Sequence, residues 1–256
     1  MLPLSIISAA KESNSSVKKN KTPAIRNLYI ASLALILFTA CTPFIRMNDH
    51  KSAVNSPNVN NSSQALIVTN NCSQSPFVNV FLLKKNDGQW EYVGKSMSGV
   101  IGKKGFAVPG KKREGDGKSP SGIFALQTAF GYNESIRTKM PYRQALADDL
   151  WVDDIHADDY NRWVKKDQTK AVSYEKMKRD DDLYKYGFVI EYNTAPVVKG
   201  HGSAIFFHIW RGENIPTEGC VAVSEDNILK ILAWLDPQAS PLIIMGTKNA
   251  IERLIP

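Results

Sequence analysis

The chain has 256 residues, 43% of them hydrophobic and 22% charged, which is enough apolar material for one sizeable core and little for a second. Its formal net charge of +7 is gathered at the start: residues 1–41 hold five basic residues and one acid, leaving 27 basic against 24 acidic residues downstream, a poor basis for a polyanion partner such as nucleic acid. Three cysteines exclude a disulfide framework, and a mean hydropathy of −0.26 excludes a polytopic membrane protein.

Residues 18–41 read KKNKTPAIRNLYIASLALILFTAC, a basic stretch followed by an apolar run from Leu28 to Ala40. A bilayer span needs roughly 20 residues, so this run has the proportions of a secretory h-region instead. It ends in Leu37-Phe38-Thr39-Ala40-Cys41, which resembles the lipobox of bacterial lipoproteins, with Phe38 where leucine is usual. The resemblance implies cleavage before Cys41 and a lipid on that thiol, each buried methylene contributing about 0.8 kcal/mol to membrane attachment. A signal anchor with an incidental cysteine is the alternative, and either one exports the rest of the chain. The expected location is the periplasm of a Gram-negative bacterium, with Thr42 rather than aspartate after Cys41 leaning toward the outer membrane. The first 17 residues precede the basic region and look superfluous. Residues 42–64, rich in Asn and Ser, cannot bury enough apolar area to offset chain entropy and read as a flexible tether.

A catalytic body is expected from residue 65 to about 250, and its pattern is mainly β. ALIVTNN (65–71) and FVNVFLLKK (77–85) are strand-like, and Asn86-Asp87-Gly88 then supplies a turn before a further strand from Gln89. EGDGKSPSGIF (114–124) predicts a tight loop around Asp116 leading into a strand. Residues 133–182 are polar and studded with Trp and Tyr, and are expected to form irregular structure and short helices over a site. Strands resume at 186–193, 203–210 and 220–224, and PLIIMG (241–246) closes as a buried strand. Between them, 224–235 predicts a helix: a Ser cap, Glu225 and Asp226 in the first turn, then Ile228, Leu229, Leu232 and Leu235 at helical spacing.

The informative stretch is GSAIFFHIWRGENIPTEGCVAV (202–223). His208 closes an apolar run whose alternation sets it on one strand face, and Cys220 follows after Gly219, where a sharp bend would present the thiol and nearby amides. Free cysteine is only a few per cent thiolate at neutral pH, so a nucleophilic Cys220 needs a base, and His208 is the obvious one. By spacing alone, such a pair is more often a small core cysteine and a hydrogen-bonded structural histidine. A zinc site from His201, His208, Cys220 and Glu218 lacks the spacing of known zinc motifs.

The same stretch resembles the catalytic motif of the L,D-transpeptidase family, the YkuD-type domain. There a His-bearing strand precedes a loop ending in Ser or Thr, one residue, Gly, Cys and an aliphatic: here His208, then Thr217, Glu218, Gly219, Cys220 and Val221. EGDGKSPSGIF resembles the family's Gly- and Pro-rich loop, and GSAIFFH, TEGCVAV, WVDD and DYN are similar to one branch of it. Many members carry a second His where Glu218 stands, and an Arg or Asn where Ala222 stands.

The resemblance implies a mainly β, sandwich-like catalytic fold and a transpeptidase acting on peptidoglycan stem peptides, with no metal or organic cofactor. It casts Cys220 as nucleophile, His208 as general acid and base, Gly219 as a candidate oxyanion amide and Thr217 as a positioning residue. Arg211, His201 and Glu218 are candidate substrate contacts; Asp116, Tyr160 and Asn161 match family-like segments, with merely holding a loop as the alternative for each, and Cys72 is expected to be buried or inert. Alternatives are an L,D-carboxypeptidase on the same stems and a non-catalytic peptidoglycan-binding lipoprotein.

Overall fold

Runs rich in Val, Ile, Leu and Phe suit a pleated, half-buried surface, and in a computed structural model, which describes residues 59–254, they pair as strands. Cys41, the leader and most of the expected tether lie outside the described residues. The folded body begins before residue 65: residues Val59–Asn61 form a 3-10 turn, and Ser62 and Gln64 are buried. Gln64 anchors this end by donating to the Trp234 carbonyl and accepting from the Asp236 amide.

Thirteen strands follow: β1 (Gln64–Asn70), β2 (Phe77–Asn86), β3 (Gln89–Tyr92), β4 (Met97–Val100), β5 (Gly122–Gly131), β6 (Tyr142–Gln144), β7 (Asp149–Val152), β8 (Trp163–Lys165), β9 (Tyr174–Lys176), β10 (Tyr186–Ile190), β11 (Phe206–Ile209), β12 (Val221–Val223) and β13 (Leu242–Thr247). Helix α1 (Glu225–Trp234) lies between β12 and β13, and α2 (Lys248–Leu254), which the sequence reading missed, ends the described chain. The main sheet runs β1-β13-β5-β10-β11-β12-β4-β2-β3, and β1 also pairs with β2. That pairing closes the sheet into a ring. Ala65, for example, sits opposite both Leu83 and Leu242, so β1 has no free edge to template aggregation.

The ring has two apolar faces because side chains alternate along each strand. One face gathers Leu66, Val80, Phe124, Phe188, Phe207, Ile209, Val221, Val223 and Ile243 into the principal core. Helix α1 adds Ile228, Ile231, Leu232 and Leu235 to it. The Ser224 hydroxyl caps α1 by accepting from the Asn227 amide, as expected. Leu229, placed on the buried stripe by the sequence reading, is exposed, and Ile231 takes its place at the i+3 position.

The other face is covered by the insertion, and here the structure corrects the sequence. Residues 133–182 form no α-helix; they fold as β6, which extends the main sheet beside β5, and a separate three-stranded sheet in the order β8-β7-β9, with one 3-10 turn. Short polar strands whose faces are half exposed carry little hydrophobic alternation, so no periodicity announces them. Trp151 and Met177 from this segment, with Tyr184 just after it, pack with Phe130 and Phe206 of the main sheet into a second, aromatic core that includes Cys220.

Candidate active site

Strands β11 and β12 run parallel with Phe207 opposite Val221 and His208 opposite Ala222. The odd-numbered residues face the principal core; His208 and Cys220 therefore share the outer face, under the insertion. Continuing the register sets Cys220 beside Phe206, diagonal to His208, and same-face diagonal neighbours lie about 7–8 Å apart by Cα, within reach of a cysteine and an imidazole that tips toward it. The two residues read from the motif are thus brought to one wall by strand pairing.

Cys220 is 9% exposed and His208 5%. The His208 Nδ1 lies 2.7 Å from the Ile209 carbonyl oxygen, which can only accept, so Nδ1 carries the proton and Nε2 is left with its lone pair. The Cys220 thiol donates to the Ala204 carbonyl at 3.2 Å, and the Phe206 amide donates to Sγ at 3.4 Å. Ala204 adopts a left-handed backbone at φ 52°, unusual for alanine, and its amide is held by Asn161 Oδ1 at 3.1 Å. Asn161 also accepts from Trp151 Nε1 and donates to the carbonyls of Tyr192 and Asn193, so one buried side chain ties the insertion to Ala204, the residue whose carbonyl accepts the thiol's hydrogen bond.

The turn before Cys220 is closed by Thr217. Its hydroxyl accepts from the Gly219 amide at 3.2 Å and donates to the Cys220 carbonyl at 2.6 Å, while Ser119 donates to the Gly219 carbonyl. Thr217 thus holds the turn that carries Cys220, and the Gly219 N–H, expected as an oxyanion donor, is taken by Thr217 in this geometry. Gly219 also does not serve through a left-handed bend; a Cβ there would stand 3.1 Å from the Lys118 carbonyl oxygen, and the glycine is needed for that close approach.

The EGDG loop latches the far side. Tyr160 and Ser203 hydroxyls both donate to Glu114 Oε2, and the Gly202 amide donates to the Tyr160 oxygen. Burial alone would raise Asp116, but the Lys112 ammonium and the amides of Arg113 and Lys118 outweigh it and hold the carboxyl below its ordinary range. Lys112 itself is 4% exposed, and its stem packs closely on Gly202, where a Cβ would stand 3.1 Å from Cγ and 3.2 Å from Cε. Asp116, Tyr160 and Asn161 thus hold loops; Glu114, Ser203 and Lys112 were missed, their charged and small residues reading as an ordinary solvated loop.

Burial sets the electrostatics. It pushes the Cys220 thiol up to about 12, against the Phe206 amide and the charges of Lys112 and Arg179, and it drives His208 down to about 4, against its bond to the Ile209 carbonyl. At neutral pH the pair is a thiol beside a neutral imidazole rather than an ion pair. Tyr184, whose burial raises it well above the ordinary phenol range, packs edge-on against His208 with centroids 5.1 Å apart. Burial of both groups thus favours the neutral thiol and neutral imidazole over a thiolate–imidazolium pair.

The remaining candidates scatter. Glu218 pairs with Lys103 at 2.8 Å on the surface, and His201 lies in the 198–202 turn, its carbonyl accepting from the Tyr192 hydroxyl. Arg211 follows β11 and reaches Asp181 at 3.1 Å. The zinc set therefore does not converge, and among the described residues no three His, Cys, Asp or Glu side chains are grouped to hold a metal. Cys72 is half-buried.

A family model described as the L,D-transpeptidase catalytic domain, YkuD, matches residues 79–245, from within β2 to within β13. The chain belongs to the YkuD family. The match takes in the EGDG loop, the insertion and strands β11 and β12. No curated protein matches the chain. Among solved structures, Bd1075 of Bdellovibrio bacteriovorus is similar at 16% identity and a TM-score of 0.37, over 75% of this chain and 53% of that one. The helical cell shape determining protein Pgp2 of Campylobacter jejuni is similar at 14% identity and a TM-score of 0.37, over 73% of this chain and 51% of that one. The chain thus spans about half the length of the solved relatives it matches.

Proposed function

We propose that the protein is an exported cysteine L,D-transpeptidase that acts on peptidoglycan stem peptides through a thioester on Cys220. The observation that carries this is the paired register of β11 and β12, which sets Cys220 and His208 on one face with His208 Nε2 unprotonated. In this reading Nε2 takes the thiol proton as sulfur attacks the carbonyl of the third stem residue. His208 then gives that proton to the departing amine of the terminal D-alanine, leaving the acyl group on sulfur. An acceptor amine, deprotonated by the same imidazole, breaks the thioester and restores the thiol, forming a crosslink or attaching a protein to the wall. Water as acceptor would give a carboxypeptidase. The second aromatic core around Cys220 excludes bulk water from the acyl group, which favours an amine acceptor.

Intact-mass spectrometry of residues 42–256 mixed with tetrapeptide muropeptides, with Cys220→Ala as control, tests this. An adduct on Cys220 with loss of D-alanine is expected, with crosslinked dimer exceeding free tripeptide. Tripeptide alone would make it a carboxypeptidase, and folded protein giving neither adduct nor product would point to a binding module. The proposal includes a lipid at Cys41; fatty-acid labelling in cells should vanish in Cys41→Ser, and persistence of the label would overturn the anchor.

A further inference from the structure

Two arginines outside the family motif meet beside the dyad. Arg179, just after β9, lays its guanidinium over the Tyr184 ring at 5.0 Å, and Tyr184 is the ring packed against His208 at 5.1 Å. Arg211 lies three residues beyond His208 on the chain. Both converge on one carboxylate: Asp181 accepts from Arg179 Nε and Nη2 at 2.8 and 2.7 Å, and from Arg211 Nη2 at 3.1 Å. The backbone fixes this segment to the site, since the Ile209 amide donates to the Leu183 carbonyl at 3.2 Å. The side chains are 28% and 60% exposed, so a ligand can reach both, and Arg211 uses a single N–H on Asp181. Glu175 also accepts from Arg179, on Nη1. Two planar guanidiniums aimed at one carboxylate form the fork geometry suited to recognising another.

The proposed reaction dictates where a substrate carboxylate falls, and the inference rests on that reading. When the leaving group is the last residue of the stem, its carboxyl carbon is two bonds of about 1.5 Å each from the amine that His208 must protonate. A full negative charge is thereby brought next to a buried imidazole, where it needs a cationic partner. The position two residues after the nucleophile cannot supply one: Ala222 stands opposite His208, fully buried. We propose that Arg179 and Arg211 are the receptor for the C-terminal carboxylate of the donor stem, with Asp181 occupying it in the free protein. They are specificity residues, and they restrict the enzyme to the last peptide bond of the stem, since one further residue moves the carboxylate about 3.5 Å away.

The test compares a tetrapeptide stem with its C-terminal carboxamide, which keeps the scissile bond and removes the charge. The wild-type protein is expected to favour the carboxylate by at least about 100-fold in kcat/KM, because a site built around a charged partner rejects a ligand lacking it. Arg211→Ala, a mostly exposed side chain whose loss leaves the cores intact, should cut that ratio at least about tenfold, acting mainly through KM for the carboxylate. Arg179→Lys, which keeps the charge but loses the fork, should fall between. Equal turnover of both peptides by the wild-type protein, or an unchanged ratio in Arg211→Ala, overturns the receptor while leaving the proposed function standing. Wild-type protein that turns over neither peptide overturns the proposed function, and the receptor with it.

Discussion

The imidazole of His208 carries the sharpest consequence at the scale of single residues. Its ordinary value is 6.5 and burial takes it to about 4 in the folded protein, so it stays an unprotonated base through the mildly acidic range. The acid limb of kcat/KM for the free enzyme is therefore expected near pH 4 rather than 6.5. The same shift has a stability cost of defined sign. Between the two values the unfolded chain binds a proton that the folded chain refuses, so stability is lost as pH falls from 6.5 toward 4 and changes no further below that. Full loss would be about 3 kcal/mol. Urea unfolding of the wild type and of His208→Gln at pH 7 and pH 4 measures it: the glutamine variant should lose less stability on acidification by about that amount. Equal losses would mean that His208 titrates normally in the folded state.

Within elements, the site depends on loops that hold buried charge and strained backbone. Asn161 satisfies the indole of Trp151 and the amide of left-handed Ala204 at once, so Asn161→Ala leaves buried donors unpaired, each costing about 1–3 kcal/mol. The expected result is a urea midpoint well below wild type together with impaired acylation, since the Ala204 carbonyl that orients the thiol is released; wild-type values on both counts would show that Ala204 holds its conformation unaided. Lys112 acts through charge. Its ammonium lowers the thiol pKa against the larger effect of burial, so Lys112→Met should move the pH profile of Cys220 alkylation to higher pH and slow the reaction several-fold at fixed pH. An unmoved profile would reduce Lys112 to a strut for the Asp116 loop. These elements also mark the limit of what the sequence discloses. His208 and Cys220 were legible as a candidate pair because strand alternation is a local property, and Thr217 through the resemblance of 217–221 to the family's motif. Arg179, Tyr184 and Lys112 were not, because their proximity to the thiol is made by long-range packing, of the insertion and the residues just after it for Arg179 and Tyr184 and of the loop before β5 for Lys112. Even Gly219, read as a bend, owes its place to a carbonyl from a loop a hundred residues away.

At the scale of the molecule, the outer face of one strand ring serves as the floor of the active site, and the insertion is its roof. This separates two apolar cores with different duties. Leu66 on β1 belongs to the principal core, which holds the ring shut where β1 joins β2 and β13. Phe206 belongs to the second core, where it contacts Phe130, Trp151 and Tyr184 with centroids 5.0–5.5 Å apart and lends its amide to the thiol. Truncating either to alanine removes a fully buried side chain, at a cost of about 2–5 kcal/mol for leucine and about 3–5 kcal/mol for phenylalanine. Their effects on the thiol should diverge. Phe206→Ala loosens the roof where Cys220 lies, so iodoacetamide should label Cys220 faster than in wild type under native conditions. Leu66→Ala, comparably destabilised, should label at the wild-type rate until denaturant approaches its unfolding midpoint. Equal acceleration in both variants would mean that the thiol is reached only by global unfolding and that the insertion does not open as a separate unit. Selective acceleration in Phe206→Ala would show that the roof opens as a unit of its own, giving access to a thiol that the resting protein keeps covered.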